Sequence, residues 1–370
     1  MKKNNKDTST LKMYTLGIES SCDDSSIALY GKEEGLIFHQ SFSHEKYLQS
    51  WGGVVPELAA RQHAPKLHFL LKLTQDFLKK KFPDSEFSNC LAAIAVTTGP
   101  GLAGPLMVGL NIAKSLALLY SLPLIPINHL LAHMNAITLS SKKPVPLYPF
   151  VSLLVSGGNC LLGILSSPTS FHLMGQTLDD APGETFDKIG KLLKLPYPAG
   201  KWINELAQTG NPEAYNFTIP LKNSSGSNFN FSFSGIKNQA RILLEKNPDI
   251  LLEENKKRNF CASLQQAING HCLFVVKKFY EEKKLTLPLV VSGGVANNTH
   301  LRSLFKDFFV SQKRDVFFVD PLYCSDNAAM VASLGYTLLA YALPFPYNLC
   351  LDASSQVLFQ TNILYDNTST

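Results

Sequence analysis

Two histidines spaced four residues apart are the first feature of this sequence that suggests chemistry. In His129-Leu-Leu-Ala-His133 both imidazoles would lie on one face of a helix, close enough to bind one metal ion. Ordinary hydrogen bonding by two histidines near a helix end is an alternative that the spacing leaves open. A zinc protease of the HExxH type is disfavoured, because Leu130 stands where that class has its general base. The pair therefore predicts a metal site but no particular reaction.

Aspartates in two polar turns could complete such a site. Asp326, in Tyr323-Cys-Ser-Asp-Asn-Ala-Ala329, lies just before a helix-like segment and is the best candidate for a third metal ligand. Capping that helix is the commoner role of an aspartate there, and the sequence leaves both roles open. Asp23 and Asp24 lie at the tip of a predicted hairpin, where a carboxylate that faces a cleft could act as a base.

Three short polar turns each follow a buried, strand-like segment. These turns are residues 20–26, 156–159 and 292–298. Two of them contain Ser-Gly-Gly, which presents consecutive backbone N–H groups that a phosphate can approach closely. One Ser-Gly-Gly turn is weak support, since hairpins also need glycine, but three polar turns in one chain, each after a buried strand, predict a nucleotide site between two lobes.

The segment Asp179-Asp-Ala-Pro-Gly-Glu-Thr-Phe-Asp-Lys188 is rich in carboxylates. Within a nucleotide site, Asp187 could accept hydrogen bonds from ribose hydroxyls, as acidic residues do in other nucleotide-binding proteins. The acidic first turn of a solvated helix is the alternative interpretation, because carboxylates favour helix N-termini.

Helix-like segments alternate with these strands and must position the candidate residues. The apolar spacing predicts helices over residues 57–81, 103–120 and 259–278. This alternation predicts an α/β architecture with partly parallel sheets, and the repeated strand–turn–strand pattern predicts a duplicated lobe. Residues 145–171 carry no charge, but prolines and glycines interrupt them. They therefore predict two buried strands around a glycine turn, and no contact with a membrane is expected.

Length and composition limit the possible classes of protein. A chain of 370 residues, 45% apolar and 17% charged, is long enough for two folded domains. The net charge of +5 permits nucleic-acid binding without indicating it. Seven scattered cysteines without CxxC spacing favour the reducing cytoplasm. Residues 1–12, polar and lysine-rich, are expected to form a disordered extension and no secretory signal.

Nine motifs occur in an order that resembles a known family. They are residues 15–24 (Thr15-Leu-Gly-Ile-Glu-Ser-Ser-Cys-Asp-Asp24), 52–61, 98–102, 129–133, 154–158, 179–188, 231–237 (Phe231-Ser-Phe-Ser-Gly-Ile-Lys237), 292–298 and 324–329. Together they resemble the bacterial tRNA N6-adenosine threonylcarbamoyltransferase family (TsaD, formerly called glycoproteases).

The resemblance implies an actin-like fold of the superfamily that includes sugar kinases and heat-shock chaperones (ASKHA). Such a fold has two duplicated RNase H-like lobes with a cleft between them. On this basis we expect a first lobe over residues 13–128, rejoined by a C-terminal helix near residues 326–343. We expect a second lobe with the metal and nucleotide site over residues 129–325, and a C-terminal tail over residues 344–370.

The resemblance also implies the residues of the site. The metal ligands fall on His129, His133 and Asp326, with Fe²⁺ as the expected ion and Zn²⁺ as the alternative. Asp23 and Asp24 are the expected catalytic carboxylates because of their place at the predicted hairpin tip, and this assignment comes from the sequence itself. The expected substrate contacts are Leu154, Val155, Ser156, Gly157, Gly158, Asp187, Gly200 and Asn298.

An enzyme of this family moves the threonylcarbamoyl group from threonylcarbamoyl-AMP to N6 of the adenosine that follows the anticodon, in tRNAs that read ANN codons. It works with TsaB, an inactive paralogue of the same fold, and with the ATPase TsaE. The sequence leaves two alternatives open. One is a related metal-dependent carbamoyltransferase that acts on a small molecule, and the other is a non-catalytic paralogous scaffold.

The helix predicted after residue 56 has a leucine stripe formed by Leu58, Leu67, Leu70, Leu71 and Leu78. Packing on its own sheet is the usual fate of such a stripe. If the helix also serves TsaB, the free chain should expose an apolar patch on the first lobe and form a homodimer when alone.

Four positions depart from the family pattern. Asp24 stands where the family has a glutamate, and Asn159 stands where it has a histidine. Ala199 stands where the family has a glycine, and Asn204 stands where many members have an aspartate. The first change shortens the reach of a carboxylate, and the second removes an imidazole from the glycine turn. The third restricts the backbone, and the fourth weakens an expected ribose contact. No metal ligand is affected.

Overall fold

Ten strands and ten α-helices form the part of the chain that the computed structural model describes, residues 13–43, 56–140, 144–221, 229–344 and 346–355. The strands are β1 (Tyr14–Glu19), β2 (Asp24–Gly31), β3 (Gly35–Ser43), β4 (Leu91–Gly99), β5 (Leu124–Asn128), β6 (Phe150–Val155), β7 (Cys160–Ser167), β8 (Ser170–Gln176), β9 (Leu289–Ser292) and β10 (Val316–Phe318). The helices are α1 (Pro56–Lys81), α2 (Phe87–Cys90), α3 (Ala103–Tyr120), α4 (His129–Asn135), α5 (Pro182–Leu192), α6 (Ala199–Ala207), α7 (Ser234–Lys246), α8 (Glu254–Glu282), α9 (Thr299–Ser311) and α10 (Ala328–Thr337).

Two five-stranded sheets have the same topology. The first has the order β3-β2-β1-β4-β5 and the second the order β8-β7-β6-β9-β10. In each sheet the first three strands pair antiparallel as a meander, and the last two add parallel strands. The duplicated α/β lobe that the sequence predicts is therefore confirmed in strand order and direction.

The described chain divides into two compact units, one formed by residues up to 132 and from 327 onwards, the other by residues 133–326. In the first unit, Leu16 and Ile18 of β1 join Leu67 and Leu70 of α1 in the hydrophobic core. Each of these side chains is fully buried, which stabilises the unit by about 2 kcal/mol per side chain. The leucine stripe of α1 thus packs mainly on its own sheet.

Helix α10 lies against the opposite face of the first sheet. A Cβ atom at Gly17 would lie 2.6 Å from the Ala328 carbonyl oxygen, and one at Gly335 would lie 2.3 Å from Ala95 Cβ. Only glycine at these two positions permits so close an approach of helix and strand. Close packing against the first sheet therefore explains why α10 contains small residues.

In the second unit, phenylalanine side chains fill much of the core. Phe229 and Phe279 meet edge to face with ring centroids 4.9 Å apart, and both are buried. The helix predicted over residues 259–278 is longer than expected, since α8 spans Glu254–Glu282. The predictions for α1 and α3 match the observed helices closely.

One helix in the described ranges, α3, has the length and apolar composition that would allow it to cross a membrane. Its residues Leu110, Ala113 and Ala117 belong to the core of the first unit. Apolar core helices pass the same test of composition, so core packing accounts for the buried part of α3. The uncharged residues 145–171 form β6, β7 and the start of β8, as the prolines and glycines predict.

Candidate active site

Helix α4 positions the two candidate metal ligands directly after strand β5. The Asn128 side-chain Oδ1 accepts hydrogen bonds from the Leu130 and Leu131 amides at 2.9 and 3.1 Å, which starts the helix. His129 and His133 therefore lie one turn apart on the same face. Both imidazoles are buried.

Asp326 completes a group of three donors. Its Oδ1 lies 2.9 Å from His133 Nε2, and one ligand atom from each of His129, His133 and Asp326 lies within 4.8 Å of the other two. Two imidazoles and one carboxylate are a donor set that suits Fe²⁺ or Zn²⁺. The three residues therefore fit a divalent metal ion.

The capping role considered for Asp326 falls to its neighbour. The Asn327 side chain accepts a hydrogen bond from the Met330 amide at 3.0 Å and is the N-cap of α10. Capping is therefore the wrong interpretation of Asp326, whose carboxylate meets His133 instead.

Glu19, at the end of β1, lies behind His129. Its Oε2 is 3.2 Å from His129 Nδ1 and accepts a hydrogen bond from Thr97 Oγ1 at 2.6 Å. Its Oε1 accepts from the Ser21 amide at 2.6 Å, and Ser21 Oγ lies 3.1 Å from the same imidazole nitrogen. The carboxylate is fully buried. Since Nδ1 of His129 faces Glu19, Nε2 is the nitrogen that would bind a metal ion.

Asp23 and Asp24 are half-buried at the tip of the β1–β2 hairpin. His63, from α1, holds both ends of this tip. Its Nδ1 lies 2.7 Å from Ser25 Oγ, and its Nε2 lies 3.0 Å from the Cys22 carbonyl oxygen. Because a carbonyl can only accept, Nε2 carries the proton and Nδ1 accepts from the serine. Burial lowers the pKa of His63, which favours this neutral state.

The turn after β6 contains Ser156, Gly157 and Gly158. The Ser156 and Gly157 carbonyls accept hydrogen bonds from the Gly183 and Glu184 amides at 3.1 and 3.0 Å, which fixes the turn against the first residues of α5. Both turn glycines are exposed, and an added Cβ at either would have no atom within 4 Å. Within the described ranges their amides donate no hydrogen bond to the protein. The turn can therefore receive an anion without rearranging.

The turn after β9 lies beside the turn after β6, because β6 and β9 are parallel neighbours with Leu154 opposite Ser292. A Cβ on Gly293, which has a φ of +90°, would lie 2.3 Å from the Val155 carbonyl oxygen. Glycine is thus required there by conformation and by space. The Leu154 and Val155 side chains are fully buried, so only their backbone can contact a ligand.

Asn298 ends this second turn with its side chain engaged by the protein. It caps α9 by accepting from the Leu301 amide at 2.9 Å, accepts from Asn269 Nδ2 at 3.0 Å and donates to Gln265 Oε1 at 2.6 Å. The contacts position the turn and leave one amide proton for a ligand.

The acidic segment before and within α5 serves mainly the fold. The Asp179 carboxylate accepts hydrogen bonds from the Phe233 and Ser234 amides at 2.7 and 3.2 Å, at the start of α7. Burial raises the pKa of Asp179, but hydrogen bonds from Ser232, Phe233 and Ser234 outweigh burial and lower it overall. Asp180 forms ion pairs with Lys188 and Lys237.

Asp187 and Gly200 are brought together at the first turn of α6. Asp187 Oδ1 accepts a hydrogen bond from the Ala199 amide at 2.7 Å, one residue before Gly200. The Ala199 methyl group packs against Gly190. A Cβ added at Gly190 would lie 2.0 Å from the Ala199 Cβ, so the glycine makes room for this methyl group. Asn204, which stands where many family members have an aspartate, accepts a hydrogen bond through Oδ1 from Thr299 Oγ1 at 2.9 Å. The asparagine therefore has a partner within the fold.

Glu19 and His63 were not assigned roles from the sequence, although both had local signals. Glu19 is a carboxylate at the end of an otherwise apolar strand, and His63 lies at a buried position of α1 between Ala59 and Leu67. A polar residue on a buried face needs a partner, and here the partners belong to the hairpin tip and the metal ligands.

Comparison with known proteins assigns the chain to a family. Residues 35–333 match the family model of TsaD, tRNA N6-adenosine threonylcarbamoyltransferase. A protein of that name from Chromobacterium violaceum is 38% identical over 90% of this chain and 95% of its own length. Another from Buchnera aphidicola subsp. Baizongia pistaciae is 39% identical over 86% of this chain and 90% of its own length.

Two solved structures resemble the fold at low sequence identity. HypF from T. kodakarensis has a TM-score of 0.56 and 12% identity, covering 90% of this chain and 48% of its own. Full-length HypF in a phosphate- and nucleotide-bound form has a TM-score of 0.54 and 13% identity, covering 95% of this chain and 57% of its own. These likenesses support the actin-like α/β fold. By its matches in sequence, the chain belongs to the tRNA N6-adenosine threonylcarbamoyltransferase family.

Proposed function

We propose that this chain transfers a threonylcarbamoyl group from threonylcarbamoyl-AMP to N6 of the adenosine 3′ to the anticodon, in tRNAs that read ANN codons. The observation that carries the proposal is the convergence of His129, His133 and Asp326 in a chain of this family. A non-catalytic paralogue would have no need to keep these donors.

The three residues would hold one divalent ion, with Fe²⁺ proposed and Zn²⁺ as the alternative. When bound, the ion would supply Lewis-acid stabilisation of the charge that develops on phosphate or carbonyl oxygens. The exposed turn of Gly157 and Gly158 would hold the phosphate through its backbone amides. Asp187, beside Gly200, would receive the ribose hydroxyls.

The adenosine N6 is a weak nucleophile because its lone pair is delocalised into the ring. A carboxylate that accepts the N6 proton would favour its attack on the carbamoyl carbon, and AMP would leave. We assign this role to Asp23, with Asp24 as the second candidate, because the tip that carries them is held by His63. Attack by N6 itself requires no covalent enzyme intermediate.

TsaB and TsaE are the proposed protein partners. Exposed apolar side chains on the helices of the first unit support a docking surface for TsaB there. They are Phe69 of α1 and Met107, Leu118 and Leu119 of α3. We place the enzyme in the cytoplasm, since none of its seven cysteines is in a disulfide bond.

The proposal is tested by supplying the purified chain with TsaB, TsaE, threonylcarbamoyl-AMP and tRNA, and measuring threonylcarbamoyladenosine by mass spectrometry of digested tRNA. Asp326→Asn keeps the size of the side chain but weakens its charge toward a metal ion. We expect a loss of product of at least about 100-fold, together with loss of bound metal.

A tRNA whose anticodon reads no ANN codon serves as the control substrate. Full product formation by Asp326→Asn, or equal modification of both tRNAs, would contradict the proposal. Metal analysis of protein purified without oxygen decides between iron and zinc.

A further inference from the structure

We propose that Glu19 is a positioning residue for the metal ligand His129. Its carboxylate accepts a hydrogen bond from His129 Nδ1–H and so leaves the Nε2 lone pair directed to the metal ion. This inference rests on the proposed metal site but assigns a residue outside the ligand set.

The contacts of Glu19 place a fixed acceptor at the imidazole. Ser21 N–H and Thr97 O–H each donate to it at 2.6 Å, one to each carboxylate oxygen. The carboxylate is fully buried, so water does not compete for these positions. The oxygen that Thr97 holds is also the one that lies 3.2 Å from His129 Nδ1.

The chemistry of this contact selects one tautomer of His129. An ionised carboxylate can only accept hydrogen bonds, so Glu19 favours a proton on the Nδ1 that faces it. Ser21 Oγ lies 3.1 Å from the same nitrogen, and with Nδ1 protonated this hydroxyl accepts from it as well. A neutral imidazole has one proton, and Nε2 is then the basic nitrogen. Metal-bound histidines commonly have this arrangement, in which a carboxylate holds the second nitrogen and raises the basicity of the first.

Strand order explains why Glu19 and Thr97 can act together. Strands β1 and β4 are parallel neighbours, with Ile18 opposite Val96, and β5 lies next to β4. The carboxyl ends of the three strands therefore meet at one edge of the sheet, where α4 begins with His129.

Two substitutions separate this role from a merely structural one. Glu19→Gln keeps the size of the side chain, but its amide can donate to Nδ1 and so favour the opposite tautomer. We expect Zn²⁺ affinity, measured by competition with a chromophoric chelator, to fall about 10- to 100-fold. Thr97→Val withdraws one of the donors that hold the carboxylate and should cause a smaller loss of affinity.

Thr74→Val is the matched control for Thr97→Val. Thr74 is also a fully buried threonine of the first unit, but its hydroxyl bonds to the Leu70 carbonyl within α1. It should lower thermal stability without changing Zn²⁺ affinity. Equal Zn²⁺ affinity in the wild type and in a folded Glu19→Gln variant would overturn the proposal.

A second measurement needs neither metal nor a variant of Glu19. Nitrogen-15 spectra of metal-free protein labelled at histidine report the tautomer of each imidazole, and His129→Asn identifies the signals of His129. We expect the wild type to carry the proton on Nδ1, and a proton on Nε2 would overturn the proposal. Because no tRNA or donor is present, failure of the transfer reaction leaves both tests intact. If the wild type bound no Zn²⁺, the proposed metal site would fail and the role of Glu19 with it, whereas a proton on Nε2 in protein that does bind Zn²⁺ would overturn the role of Glu19 alone.

Discussion

At the scale of single residues, buried imidazoles connect the stability of this chain to pH. His271 of α8 is fully buried, accepts a hydrogen bond from the Ser232 amide at 3.2 Å and lies edge to face against Phe231 and Phe233. Burial lowers the pKa of His271 to about 4, against a smaller opposite effect of Asp179. The folded state therefore holds this imidazole neutral.

We predict that His271 makes the fold sensitive to acid. Its folded pKa of about 4 lies below the ordinary 6.5, so stability is full above pH 6.5 and is lost as pH falls toward 4. The complete loss corresponds to roughly 3 kcal/mol, of which roughly 2 kcal/mol falls between pH 7 and pH 5. His271→Gln keeps an acceptor for Ser232 but cannot be protonated, so urea unfolding should show a correspondingly smaller loss over this interval. His68→Gln, at an exposed site of α1, should behave as the wild type. If all three proteins lost equal stability, His271 would not be the titrating group.

Sequence spacing was enough to predict the metal ligands, whereas the residues that hold those ligands in place become visible only in the folded structure. The four-residue spacing of His129 and His133 needs only a helix, and the family pattern adds Asp326. Glu19 contacts His129 across 110 residues of sequence, a relation that local spacing does not reveal. The choice between metal ligand and helix cap for Asp326 also required coordinates, since aspartate performs both roles.

At the scale of elements, the residues proposed for the site follow the carboxyl ends of parallel strands. The hairpin tip follows β1, helix α4 follows β5, and the Ser-Gly-Gly turns follow β6 and β9. Ligands of α/β proteins bind at such strand ends. The strand–turn–strand pattern predicts these positions because glycine and serine interrupt apolar runs. The ends of α8 were missed because its outer turns are charged, which gives them little apolar periodicity.

Two glycines, Gly157 and Gly183, meet at the turn after β6. Substituting the first is predicted to abolish ligand binding, and substituting the second is predicted to lower stability. A Cβ added at Gly157 would meet no protein atom within 4 Å, so Gly157→Val should change thermal stability by less than about 0.5 kcal/mol. It should abolish binding of a non-hydrolysable threonylcarbamoyl-AMP analogue, measured by calorimetry, because the side chain would occupy the phosphate position. Gly183→Ala places its Cβ 2.8 Å from Gly157 Cα, so it should destabilise the fold by about 1–3 kcal/mol. Unchanged affinity in Gly157→Val would remove the turn from the proposed site.

At the scale of the whole molecule, the apolar side chains of α1 and α3 are divided between the core of the first unit and its surface. Leu67, Leu70 and Leu78 are buried in the first unit, and Leu71 packs partly against its core. Residues 52–55, the start of the family motif over residues 52–61, lie outside the described residues. Large apolar side chains that remain exposed on this unit include Phe69 of α1 and Leu118 and Leu119 of α3. The sequence could not separate these two groups, because periodicity identifies an apolar helix without showing how much of it one sheet covers.

The final prediction concerns the surface proposed for TsaB. Leu118 and Leu119 are 58% and 69% exposed, so replacing both with lysine should cost the fold less than about 0.5 kcal/mol. If this surface binds TsaB, or a second copy when TsaB is missing, Leu118→Lys with Leu119→Lys should abolish both complexes in sedimentation velocity, because the charges would have to be buried unpaired. Val310→Lys is the control, since Val310 is 73% exposed on the second unit, and it should keep both complexes. If the double variant still assembled as the wild type does, the partner would have to dock on another surface. If the wild type remained monomeric and ignored TsaB, a self-sufficient enzyme would become the better description, since no docked paralogue would then be needed to cover the exposed leucines of α3.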